Sequence, residues 1–172
     1  VLLEKAVQIK PRFAGAWADL AETYTESEDF GKALDAVQRV IKLQPNLPFG
    51  HMIRGSILGK MDDHKGSIES YENALKIEPQ HIGSNMGLGN ILKTIGRYDD
   101  AVVAYKNCID AQPMFSEAYW SLANLKTYNF EESEIKKMEE HIQNPDLPPP
   151  NKAFFHIALA NAKEKQKNYG EA

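Results

Sequence analysis

Three asparagines carry the side chains best suited to chemistry in this chain, and that chemistry is hydrogen bonding rather than bond breaking. Asn90 and Asn124 stand 34 residues apart, and Asn161 follows after a slightly longer interval. A primary amide offers donors and an acceptor together, so a row of amides can pair with the backbone of an extended peptide. Groups that could break bonds are present but scattered. His51, His64, His81, His141 and His156 show no paired metal-ligand spacing, and Cys108 occupies a small, buried helical position. The carboxylate pairs Asp62/Asp63, Asp99/Asp100 and Glu139/Glu140 fall in turns or on helix surfaces, where capping and solvation account for them. No Gly-rich phosphate loop follows a strand, because there is no clear strand. The residues assign no catalytic group, no metal and no cofactor to this chain.

What must position the amides is a repeat. Pro11, Pro45, Pro79 and Pro113 recur every 34 residues, and the residues ahead of three of them repeat in register as Ala33/Val37/Val40, Ser67/Tyr71/Ala74 and Ala101/Tyr105/Cys108. Each period reads as two amphipathic helices. Ala14–Glu26 places Trp17, Leu20, Ala21 and Tyr24 on one face, and Phe30–Leu43 places Phe30, Ala33, Leu34, Val37, Val40 and Ile41 on one face. Proline then stops the second helix, since it lacks an amide donor and bars helical geometry in the residue before it. The plan repeats over 48–60 and His64–Ile77, then over 82–95 and Tyr98–Ala111, with Gly96 ending the first helix of the third period. Units of this kind must stack to bury their apolar faces, so a surface for holding a partner is the default function.

Composition agrees. The 172 residues are 42% hydrophobic and 26% charged, ordinary for a folded protein, and the net charge of −4 lacks the basic stripe of a nucleic-acid binder. No apolar run is long enough to span a bilayer, so no membrane partner is expected. A single cysteine fits a cytoplasmic location.

The repeated residues resemble the tetratricopeptide repeat (TPR), whose pattern is Trp-x2-Leu-Gly-x2-Tyr, then Ala-x3-Phe, then Pro. Trp17, Leu20, Ala21, Tyr24, Ala33, Val37 and Pro45 fit the first full copy; Gly55, Leu58, Ser67, Tyr71, Ala74 and Pro79 the second; Leu88, Gly89, Leu92, Ala101, Tyr105 and Pro113 the third. His51 and Asn85 take the Trp slot in the second and third copies, and Arg54 takes the Leu slot, which predicts a less buried helix there. The resemblance implies an all-α, right-handed TPR superhelix of antiparallel helix pairs, an α–α solenoid. Its units run 1–13 (second helix of a truncated repeat), 14–47, 48–81, 82–115, 116–152 (divergent, with a Pro-rich connection) and 153–172 (truncated). In the fourth unit Tyr119, Leu122 and Ala123 start properly, but Ile135 takes the small slot and Glu139 the bulky one. Ile135, Met138 and Ile142 form a stripe in a helix over 131–143, and the prolines of 144–151 predict an extended connection. Residues 1–10 are expected to turn Leu3, Ala6, Val7 and Ile9 inward, and 153–166 to form a first helix, with His156 in its Trp slot, whose partner helix would begin at 168–172. Ends of this kind, cut mid-repeat, are expected to associate with other copies.

The family's first helices line a concave groove, and two slots of each copy are implied to face it. One gives Glu22, Ser56, Asn90, Asn124 and Asn161; the other gives Ala18, Met52, Met86, Trp120 and Ile157. Small neighbours Gly87, Ser121 and Ala158 leave room for a ligand. Met52, Ser56, Met86, Asn90, Lys93, Trp120, Asn124, Ile157 and Asn161 are therefore the expected contacts for a peptide or protein partner. The competing reading is that the asparagines only tie adjacent repeats together. Some TPR domains clamp the carboxylate of chaperone tails with a set of Lys, Arg and Asn. This chain offers Asp19, Glu22 and Glu26 in its first copy and only Lys60 and Lys93 as groove cations in the middle, which points away from that ligand and toward one of mixed charge.

A narrower resemblance covers the C-terminal third. The run 118–130 (Ala-Tyr-Trp-Ser-Leu-Ala-Asn-Leu-Lys-Thr-Tyr-Asn-Phe), Ile135, Met138, residues 145–147 (Pro-Asp-Leu) and the helix over 154–163 are similar to the junction in bacterial TPR-sulfotransferases. That resemblance implies an array that presents an acceptor to a sulfotransferase domain using PAPS, or that mediates assembly, with the catalytic domain outside this chain. A structural or oligomerisation spacer is the third reading.

Overall fold

The computed structural model describes residues 2–170, with side chains to 166, and among them ten helices and no strand. In chain order they are α1 (Leu2–Ile9), α2 (Ala14–Glu26), α3 (Phe30–Leu43), α4 (Phe49–Lys60), α5 (His64–Ile77), α6 (Ile82–Thr94), α7 (Tyr98–Ala111), α8 (Ser116–Ala123), α9 (Glu132–Ile142) and α10 (Pro149–Gly170). The closest pairings are α2 with α3, α4 with α5 and α6 with α7, and each pair stacks on the next. The protein is an all-α array of helix pairs.

Small residues set how closely the pairs approach. Ala33, Ser67 and Ala101, one per pair, are completely buried. Ser67 Oγ also donates to Gly55 O at 2.7 Å, tying α5 to α4. A Cβ on Gly55 would meet the Tyr71 ring at 2.9 Å, and one on Gly89 would meet the Tyr105 ring at 2.5 Å. The rings can lie there only because the facing helix lacks side chains at those points.

The turns inside the pairs repeat with the same period. Glu28, Asp62 and Gly96 have φ of 60°, 59° and 79°. After each, the next residue reaches back five positions: Asp29 N–H donates to Tyr24 O at 2.8 Å, Asp63 N–H to Leu58 O at 2.9 Å and Arg97 N–H to Leu92 O at 2.9 Å. These are three Schellman motifs, which close a helix through one left-handed residue. Asp29 and Asp63 then cap the following helices, accepting from Lys32 N–H and Gly66 N–H.

In the first and third copies the Trp slot holds its place by a hydrogen bond as well as by volume. Trp17 Nε1 donates to Pro11 O at 2.9 Å, and Asn85 Nδ2 donates to Pro79 O at 3.0 Å, the same bond two periods later. Asn85 is 1% exposed and its Oδ1 also accepts from Asn107 at 3.2 Å. Asparagine thus keeps the donor of tryptophan while giving up its bulk.

Four sequence expectations need correction. Ile9 does not face inward but is 77% exposed, leaving Val7 as the buried residue of α1. The connection 144–151 is not extended throughout, because Pro149 and Pro150 open α10; proline is tolerated in a first helical turn, where its missing N–H has no partner to lose. The buried stripe of α10 is Phe155, Ala158, Leu159 and Ala162, whereas His156 and Ala160 are exposed, so this helix sits one residue out of the expected register. Finally, α10 continues to Gly170 instead of ending near 166 ahead of a partner helix that would begin at 168–172, and residues 171–172 lie outside those described.

The fourth unit is built differently. Position 130, one period after Gly96, is Phe130, a buried side chain at 7% exposure that does not take positive φ. Instead α8 ends early at Ala123, and α8 lies closer to α10 than to α9. Phe155 packs on Tyr119 at 5.2 Å and Phe154 on Trp120 at 5.6 Å, while Lys165 Nζ donates to Leu125 O at 2.8 Å and Tyr128 O at 2.9 Å. These pairs show α10 running alongside α8 in the same direction. Ile135, filling the slot held elsewhere by alanine or serine, keeps α9 at a distance from α8, and Ala158 and Ala162 let α10 close in.

Candidate binding groove

The first helices α2, α4 and α6 lie side by side. Between α2 and α4 a cleft of about 240 Å³ opens. Ala18, Phe49, Met52, Ile53 and Ile57 give it an apolar lining, and Asp19, Glu22 and Glu26 of α2 share its rim with Ser56 and Lys60 of α4. The carboxylates of Asp19, Glu22 and Glu26 and the ammonium of Lys60 have no ion pair or side-chain hydrogen bond among the described residues. Met52 reaches on to α6, where a Cβ on Gly83 would come within 2.8 Å of its sulfur. The structure thus brings Met52 and Ser56 together with the acidic residues of the first copy. Phe49 and Ile53, which the repeat pattern did not single out, belong to the same lining; their signal was the excess of apolar residues on α4 beyond the stripe needed for its own pair.

Further along, the expected residues separate. Tyr105 donates to Asn90 Oδ1 at 2.8 Å. Burial pushes the Tyr105 phenol up to about 12, so the proton needed for this bond stays in place. With its oxygen engaged, exposed Asn90 keeps both amide N–H donors without an acceptor among the described residues. Met86 is 7% exposed and belongs to the core rather than the surface. Lys93 is half-buried in α6.

The C-terminal members do not continue the row. Asn124 follows the last turn of α8 and donates from Nδ2 to Trp120 O at 2.9 Å, serving as a cap. Trp120 is covered in part by Phe154. The register of α10 places Asn161 half-buried beside the core residue Ala162, and leaves Ile157 44% exposed. Cys108 is fully buried, and that burial raises its thiol to about 12, so it stays protonated. Among the described residues no group of three or more His, Cys, Asp or Glu could hold a metal ion, and no helix is long and apolar enough to cross a membrane. A larger cleft of about 710 Å³ lies between α1 and α3, but Glu4 accepts there from Tyr24 at 2.7 Å and Lys32 is paired with Asp29 at 2.6 Å.

The profile of the tetratricopeptide repeat matches residues 14–47, 51–81 and 82–113. The chain belongs to the tetratricopeptide-repeat family. Among solved structures, MamA superposes on this TPR array with a TM-score of 0.61 at 18% identity, over 99% of this chain and 88% of that one. The first TPR of Spaghetti (RPAP3), solved with the HSP90 peptide SRMEEVD, gives 0.56 at 14% identity over 61% and 83%. The Arabidopsis OM64 TPR domain gives 0.57 at 13% identity over 63% and 89%. At these identities the likeness is one of fold. Curated protein sequences gave no match. The repeats support a protein-interaction scaffold.

Proposed function

We propose that this TPR array holds an extended segment of a partner protein along α2, α4 and α6, with the cleft at Met52 and Ser56 and the amide of Asn90 as its principal contacts. The observation that carries this reading is Asn90: with its oxygen held by Tyr105, it presents two donors unmatched among the described residues on α6, the helix that follows α4 of the α2/α4 cleft. Backbone carbonyls of an extended chain supply the missing acceptors, and the cleft takes a side chain. The acidic peptide carried by the Spaghetti structure is a poor guide to the ligand, because the rim here bears Asp19, Glu22 and Glu26. Binding needs no cofactor, and a cytoplasmic location is part of the proposal. Trp120 and Asn124 hold the fold together and are unsuitable probes. The test is a selection from displayed random peptides, followed by titration of the winners against Met52→Ala/Asn90→Ala. A loss of about 10-fold or more, roughly 1.4 kcal/mol, is expected in a variant that keeps its helical circular dichroism at the assay temperature; undiminished binding refutes the reading.

A second proposal is that the array recognises an acceptor for, or assembles with, a PAPS-dependent sulfotransferase domain. It rests only on the sequence pattern over 118–163, which the matched repeats, ending at 113, do not reach. Coding sequence beyond Ala172 that lacks such a domain removes it.

A further inference from the structure

The charges on the α2 rim are arranged at a cost to the helix that carries them. Asp19, Glu22 and Glu26 are spaced three and four apart, so they lie on one face and repel one another. Glu26 stands in the last turn of α2, where the helix dipole disfavours a negative charge, and α2 has no basic residue to offset it. None of the three finds a partner among the described residues. The charges border an apolar cleft of about 240 Å³, below the roughly 300 Å³ at which sites for whole drug-sized ligands begin. A space of that size takes one or two side chains.

We propose that the α2/α4 cleft is specific for a partner segment that places an apolar side chain next to lysine or arginine, the apolar group entering between Met52 and Ile53 and the cation lying against Asp19, Glu22 and Glu26. This rests on the groove reading above and narrows its ligand class. Lys60, on the other helix of the cleft, orients the segment by repelling the cationic end and leaving room for an acidic residue beyond it. Charge of this kind acts on choice of partner and rate of encounter, and it weakens with salt.

The test uses three blocked peptides, Gly-Ser-Lys-Leu-Lys-Ser-Gly and its versions with Gln or Glu at both lysines, titrated calorimetrically against the whole chain. The lysine peptide is expected to bind about 10-fold more tightly than the glutamate one, with the glutamine peptide between them. Raising the salt to about 0.5 M should bring the lysine peptide down to the glutamine level. Asp19→Asn/Glu22→Gln/Glu26→Gln should erase the ranking in a protein that melts at or above the parent temperature. Equal binding of all three peptides, weakened by Asn90→Ala, overturns the charge specificity and leaves the groove reading standing. Preference for the glutamate peptide, or a ranking that survives in the triple variant, overturns the specificity as well. Failure of all three peptides to bind at millimolar concentration overturns both.

Discussion

Residues 14–111 and residues 116–170 start from the same 34-residue plan and end in different structures. The first region closes every helix pair with a left-handed residue, at Glu28, Asp62 and Gly96, and seats every pair on a small residue, at Ala33, Ser67 and Ala101. The second has Phe130 at the turn and Ile135 at the seat, and both are buried. Its first helix stops early, its second stands off, and α10 packs against α8 instead. The pair geometry of this array is thus fixed by two positions per repeat. Where both change, the neighbouring helix replaces the partner.

The comparison breaks if the two regions unfold as one. Tyr105→Ala removes a fully buried ring from between α6 and α7 and is expected to cost about 3–5 kcal/mol. Hydrogen exchange should show the loss concentrated in α4–α7. Met138→Ala empties an equally buried site on α9 and should open α8–α10 first. If either variant lowers protection evenly over all ten helices, the regions form one cooperative unit and the contrast is only geometric.

A transplant sharpens the role of the seat. Ala101→Ile puts the residue type of the fourth copy into the third, where there is no room, and should cost about 1–3 kcal/mol by overpacking. Chemical denaturation reads this directly. A cost near zero would mean that the α6/α7 pair yields easily, and that Ile135 does not explain the position of α9.

Much of this was legible in the sequence, and what was not has physical causes. The pair helices could be placed because apolar spacing and proline mark them independently. The left-handed turn could be seen only at Gly96; Glu28 and Asp62 do the same work without announcing it. Asn85 reads as a departure from tryptophan, yet its amide makes the same bond to the proline carbonyl. For α10 the repeat count and the apolar stripe differ by one residue, and the stripe decides the register because burial does. The row of asparagines fails beyond Asn90 for the same reason: once the fourth turn is lost, equal spacing in sequence no longer gives equal placement in space.

Alkaline pH probes the regular region first through Cys108. Burial raises the Cys108 thiol from 9.0 to about 12, so the folded chain holds a proton that the unfolded chain releases earlier. Stability from this group is full below about pH 9 and falls as pH rises toward 12; near pH 10 the loss is about 1.4 kcal/mol, one pKa unit's worth. Tyr105 and Tyr119, raised from 10.0 to about 12, add to the fall above pH 10. Cys108→Ala should therefore flatten the stability profile between pH 9 and 10. An unaltered profile would show that the thiol ionises while the chain is folded.

In the regular region the turn gives the smallest expected effects, and their sign reverses at the same place in the fourth copy. An L-residue in the left-handed region costs roughly 1–2 kcal/mol, and replacing it with glycine returns that less the chain entropy of glycine, about 0.5–1 kcal/mol. Asp62→Gly should stabilise by about 0.5 kcal/mol. Glu28→Gly should gain slightly more, since aspartate tolerates this conformation better than glutamate does. Gly96→Ala should lose a similar amount. Phe130→Gly, at the same place in the fourth copy, should instead destabilise, because that residue is held by burial against Tyr128, whose ring lies 5.0 Å away, and not by a left-handed turn. Thermal melts of the four variants give the answer. A gain at Phe130 would mean that the fourth unit is an ordinary pair prevented from closing by one side chain, and the separate α8/α10 packing would then be a consequence of that residue alone.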